Sequence, residues 1–206
     1  MREQSREKIL VAALEVFAAK GYHDATVSEI TAKAGVSRGL LNYYFPGKQN
    51  LVDELLDRYL DGVAAILDVS GSPDERLAAI IDGVLGAATM AGAQRMALSL
   101  VVNPATHPLF AAAEARKEDK LLALEDGLRE LFTERGAKDP ALEEVLLRSV
   151  LEGVIFKSAV YADQYPIEHI RRRLYQMYGL PTPKSPLVDA SPAPVGRMRA
   201  LRPGGA

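Results

Sequence analysis

Apolar residues along this chain recur at i, i+3, i+4 and i+7, the spacing of helices with one buried face, and no run alternates as a strand would. Ile9, Ala12, Ala13, Val16 and Phe17 make the first such face and predict a helix from Gln4 to Lys20, closed by Gly21. Thr26 with Glu29 three positions on has the form of a capping box, where side chain and backbone at a helix start satisfy one another. A second helix follows with Ile30 and Ala34 inward, then a turn at Gly35. A third helix is capped by Ser37, carries Leu40, Leu41 and Phe45 inward, and stops at Pro46-Gly47. Lys48 opens a long helix to Val69. Ser72-Pro73-Asp74-Glu75 is a strong start for the next, to Ala91. Further helices are predicted over Gln94–Val102, Leu109–Arg135, Pro140–Asp163 and Pro166–Tyr178. The pattern predicts an all-α chain of about nine helices: an N-terminal three-helix domain with a helix-turn-helix, and a larger C-terminal helical domain.

Composition divides the chain further. Six of twelve prolines fall in residues 180–206 with no periodic apolar face, so this stretch cannot bury enough to offset its ordering entropy. The expected domains are 1–47, 48–179 and a Pro/Gly-rich tail over 180–206, made basic by Lys184, Arg197, Arg199 and Arg202 against Asp189. Net charge is -2, but residues 1–50 hold seven Lys/Arg and five Asp/Glu, while the remainder holds eighteen and twenty-two. Binding of nucleic acid would rest on a few placed contacts and not on a broad basic field. The absence of cysteine removes disulfides and thiolate chemistry and suits a cytoplasmic protein. No signal peptide or membrane-spanning run is expected.

The second short helix carries the chemistry. A helix fits the major groove of duplex DNA, and a helix-turn-helix places the start of its second helix there. Arg38 can make a forked pair of bonds to guanine, and Gly39 lets the backbone come close. Asn42, one turn on, has the geometry to pair with adenine, and Leu40 can touch a thymine methyl. Tyr43 and Tyr44 offer hydroxyls to phosphate. So do Ser37, Thr26 and Ser28 near helix starts, and Lys48 at the start of the long helix.

The stretch from Ile9 to Leu55, with AALEVFAAKGY and then TVSEITAKAGVSRGLLNYYFPGKQNLVDEL, resembles the TetR family of transcriptional regulators without a gap. The resemblance implies a homodimer that binds a palindromic double-stranded operator and is released by a small-molecule effector, most often a repressor. The alternative is an activator or architectural DNA-binding protein without a ligand. The family often has an aromatic where Asn42 stands and a histidine where Tyr44 stands.

In the C-terminal part, the helix over 140–163 is apolar around much of its circumference, so a second copy is expected to cover one side. Leu147, Val150, Leu151, Gly153 and Val154, with Ile167, Ile170 and Leu174 of the last helix, form the expected dimer interface. Met90, Met96, Leu100, Phe110, Leu121, Phe156 and Tyr161 suit a pocket for a hydrophobic or amphipathic effector. His23, His107 and His169 have no metal-ligand spacing, and there is no phosphate-binding glycine loop or nucleophile motif. No cofactor, metal or enzymatic activity is expected.

Overall fold

The structure, a computed structural model, describes residues 2–66, 68–88, 91–161, 164–183 and 185–187. Ten helices lie among them: α1 (Arg2–Asp24), α2 (Val27–Ala34), α3 (Arg38–Tyr44), α4 (Lys48–Ala65), α5 (Pro73–Ala87), α6 (Ala91–Val102), α7 (His107–Arg116), α8 (Glu118–Glu134), α9 (Pro140–Tyr161) and α10 (Ile167–Met177). The described residues contain no strand. Inside α1, Gly21 leaves the helical path at φ 76°, ψ 174°, where its capping role was expected. One helix more than the pattern predicts arises because the stretch over 109–135 breaks at Lys117. No glycine or proline marks that break. Ion pairs hold it instead: Arg116 reaches Asp57 at 2.8 Å and Asp53 at 3.6 Å, and Lys117 reaches Asp61 at 2.8 Å. The three aspartates form one acidic stripe along α4.

The chain forms two compact units. Unit 1 gathers the described residues of Met1–Gly62 and Gly92–Glu118, and unit 2 those of Val63–Ala91 and Asp119–Ala206. This grouping differs from a boundary after residue 47, since most of α4 together with α6 and α7 belongs with the first three helices. In unit 1, Ile9, Leu10, Ala13 and Phe17 of α1 are buried, as are Ile30 of α2, Leu41 of α3, Phe45, and Leu51, Val52 and Leu56 of α4. Each large side chain buried this way stabilises the unit by about 1.5–3 kcal/mol. Ion pairs fasten α1 to α4, with Arg6 on Glu54 at 2.8 Å and Arg58 on Glu7 at 2.7 Å. The Tyr59 hydroxyl donates to Oε1 of buried Gln94 at 3.1 Å and ties α6 to α4.

The core of unit 2 is built from Leu77, Ile80, Ile81 and Leu85 of α5, Leu128, Leu131 and Phe132 of α8, Leu147, Leu151 and Val154 of α9, and Leu174 and Tyr175 of α10. Buried Arg171 grips Asp82 of α5 through two hydrogen bonds of 2.7 and 2.6 Å. The residues after α10 were expected to open the mobile tail, but several are held against the unit. Leu180 is buried and its N–H donates to the Tyr175 carbonyl at 2.9 Å. Arg171 donates to the Ser185 carbonyl at 2.6 Å, and the Leu187 N–H donates to the buried Glu168 carboxylate at 2.5 Å. Two leucines and a buried charge pair suffice where composition alone suggested nothing to hold. Lys184, Asp189, Arg197, Arg199 and Arg202 lie outside the described residues.

Candidate nucleic-acid interface

The Thr26 hydroxyl accepts from the Glu29 N–H at 3.2 Å, while the Glu29 carboxylate accepts from the Thr26 N–H at 3.1 Å and from its hydroxyl at 2.9 Å. The Thr26 side chain is therefore fully engaged in starting α2. Hydrogen bonds from the Lys20 ammonium and from Thr26 hold the Glu29 carboxyl below its ordinary value of 4.5. Gly35, at φ 65° and ψ 36°, makes the turn, a left-handed conformation that glycine adopts without a steric penalty. The Val36 N–H then closes back on the Thr31 carbonyl at 3.1 Å. Ser37 caps α3 by accepting from the Leu40 N–H at 3.1 Å.

These caps fix which side of α3 faces out. Leu41 and Phe45 are buried, whereas Ser37, Arg38, Gly39, Asn42 and Tyr43 are exposed, Tyr43 by 69%. Leu40 and Tyr44 are half-buried. Arg38 has no ion-pair partner among the described residues. Tyr43 and Tyr44 meet edge to face at 5.0 Å, which stiffens both rings. Ser28 is exposed on α2 and uses its carbonyl to accept from the Thr31 hydroxyl at 2.9 Å.

Lys48 is placed differently from the expectation. Its ammonium does not stand free at the start of α4: it donates to the carbonyls of Tyr22, His23 and Ala25 at 2.6, 3.2 and 3.0 Å and lies 4.4 Å from the centre of the Tyr22 ring. Sequence reasoning also missed Tyr22, and no local signal marks a contact between residues 26 positions apart.

The residues expected at a dimer interface separate into two groups. Leu147, Leu151, Val154 and Leu174 are buried in the core of unit 2, and Ile167 and Ile170 pack half-buried against it. These four serve the core of unit 2, with only 1–6% of their surface exposed. Val150 and Gly153 are exposed, and they sit on a face that also presents Leu142, Val145, Leu146 and Phe156, each 41–52% exposed, with Met177 of α10 exposed by 59%. A cleft of about 460 Å³ lined by Phe132, Arg135, Leu146, Val150, Met177 and Tyr178 opens beside it. Of the expected effector residues, Met96 and Leu100 are buried and Phe110 half-buried in unit 1. Leu121 and Tyr161 are half-buried and Phe156 exposed in unit 2. Met90 lies outside the described residues. Polar groups near the end of α6 serve that end: the Thr106 hydroxyl donates to the Leu100 carbonyl at 3.1 Å, and Asn103 accepts from the Ala105 N–H at 2.9 Å.

An all-α chain whose first helices present a capped, outward-facing α3 after a glycine turn is a helix-turn-helix protein. Residues 9–55, a little under a quarter of the chain, match the model of the bacterial regulatory proteins of the tetR family, so this segment is similar to the TetR amino-terminal domain. It is similar to the transcriptional regulator BetI of Escherichia coli, 35% identical over 91 residues that cover 40% of this chain and 46% of BetI. It is also similar to the regulator SrpR of Pseudomonas putida, 46% identical over 54 residues covering 26% of this chain and 25% of SrpR. The chain thus matches under half the length of these curated relatives. A transcriptional regulator from Rhodococcus sp. Rha1 shares the fold, with a TM-score of 0.65 at 23% identity over 84% of this chain and 94% of that one.

Proposed function

We propose that this protein is a transcriptional regulator that binds a palindromic operator as a homodimer and is released by a small hydrophobic or amphipathic effector, acting as a repressor. The observation that carries the reading is the outward side of α3, where Arg38, Gly39, Asn42 and Tyr43 are exposed while Leu41 and Phe45 are buried. That division leaves a base-reading arginine and amide free of work inside the fold. The family match over residues 9–55 supports the same function. The dimer rests on the exposed apolar face of α9 and Met177, since a monomer would leave it in water.

Selection of bound duplexes from a random pool, with and without cell extract, tests the proposal. A palindromic consensus that the extract releases is the expected result, and absence of any consensus would reject the reading. Arg38→Ala should relax preference at one base pair per half-site, at a cost of about 1–3 kcal/mol there. An unaltered consensus would remove Arg38 from its role.

A further inference from the structure

We infer that Lys48 is a positioning residue: its ammonium clasps the carbonyls of Tyr22, His23 and Ala25 and closes the base of the helix-turn-helix, and it makes no phosphate contact. The inference rests on the DNA-binding function proposed above and concerns how that surface is held.

An ammonium has three N–H groups and no acceptor. Three carbonyl oxygens converge on this one at 2.6, 3.0 and 3.2 Å, and the Tyr22 ring covers it at 4.4 Å. A cation lying over an aromatic face is attracted by the ring quadrupole. Every donor is accounted for, so nothing is left to reach a phosphate. The carbonyls need this partner. Gly21 breaks the path of α1, and no described backbone N–H reaches Tyr22, His23 or Ala25. Ala25 is buried, and an unmet carbonyl there carries a desolvation cost.

The position of the clasp gives it consequence. Ala25 directly precedes the Thr26 cap of α2, and Lys48 is the first residue of α4. The bond between them joins the two ends of residues 26–47, which contain α2, the turn and α3 entire. With only seven residues, α3 is too short to be stable alone. Its direction is set at one end by the Gly35 turn and at the other by the Phe45–Lys48 connection. Loosening that end lets the reading helix wander while its own side chains remain intact.

Salt dependence separates positioning from phosphate contact. Each lost phosphate contact lowers the log–log slope of affinity against salt by about 0.9 on duplex DNA. Lost positioning lowers affinity and leaves the slope near its original value. The experiment compares wild type, Lys48→Met and Tyr22→Leu as full chains on the operator recovered by selection, over a range of salt, with amide exchange followed from Thr26 to Ile30. We expect both variants to bind on the order of tenfold more weakly, with unchanged slopes and faster exchange at Glu29 and Ile30. A slope lowered by about one in Lys48→Met, with Tyr22→Leu binding as wild type, would overturn the inference. Should Lys48→Met not fold, Tyr22→Leu decides alone, because it keeps the ammonium and removes only its support. Wild type that binds no duplex would overturn the proposed function instead, and unchanged amide exchange in the variants would then reject the clasp separately.

Discussion

Gly39 is free, inside the protein, to be something else. A Cβ built there would meet nothing nearer than the Ser37 Oγ at 3.9 Å, and its φ is not in the left-handed region that makes glycine necessary at Gly35. Glycine in a helix loses more backbone entropy than alanine, so the residue weakens α3 with no gain within the fold. Under the proposed function, a close approach of duplex DNA supplies the missing reason. Gly39→Ala should raise stability by up to about 1 kcal/mol and weaken operator binding by at least about tenfold. Thermal melting and a binding titration on the same sample check both, and a variant that melts higher and binds as before would remove the close approach. Tyr43 was legible in the sequence because the helical period places it opposite Leu41, and Arg38 and Asn42 because they follow the Ser37 cap at the start of the second short helix with side chains suited to base edges. The role of Lys48 was not, because its partners lie 23 to 26 residues away and only folding brings them to it.

At the scale of the element, α2 depends on its capping box, and that dependence has a pH signature. Hydrogen bonds from Lys20 and Thr26 depress the Glu29 carboxyl below 4.5 in the folded chain. A depressed carboxyl contributes stability that is present above the unfolded value and lost as pH falls through the folded one. Glu29→Gln should therefore melt below wild type near neutrality, and the gap should narrow as the pH is lowered from about 7 to about 3. A gap that stays constant across that range would assign the loss to shape and not to charge. Caps of this kind are local, and so α2, α3 and α5 were legible from Thr26, Ser37 and Ser72. The break at Lys117 was not, since its cause is an acidic stripe on another helix. The faces of α9 were half legible. A helix apolar on both sides announces two contacts, but periodicity cannot say which belongs to its own core. Leu147, Leu151 and Val154 turned out to serve that core, and Leu142, Leu146 and Val150 remain outside.

For the whole molecule, the charge balance and the exposed face of α9 bear on one question, how a weakly basic head holds DNA. Residues 1–50 carry an excess of only two positive charges, and the Lys48 ammonium is committed within the fold. One head offers few phosphate contacts, and its affinity falls steeply with salt. Two heads joined in one particle make the second binding event intramolecular, which multiplies affinity without any new contact. A two-fold interface uses the same patch on both copies, so a single substitution strikes it twice. Leu146 is 49% exposed in the isolated chain, and its loss costs the monomer little. In the proposed dimer, Leu146→Glu would place two carboxylates in an apolar contact, where each loses solvation and finds no partner. The variant should sediment as a monomer at micromolar concentration and melt within a few degrees of the isolated fold. It should bind the operator about a hundredfold more weakly while keeping most of its non-specific affinity for DNA. A variant that stays dimeric would move the interface off this face. A monomer that binds as tightly as wild type would show that a single α3 suffices for recognition.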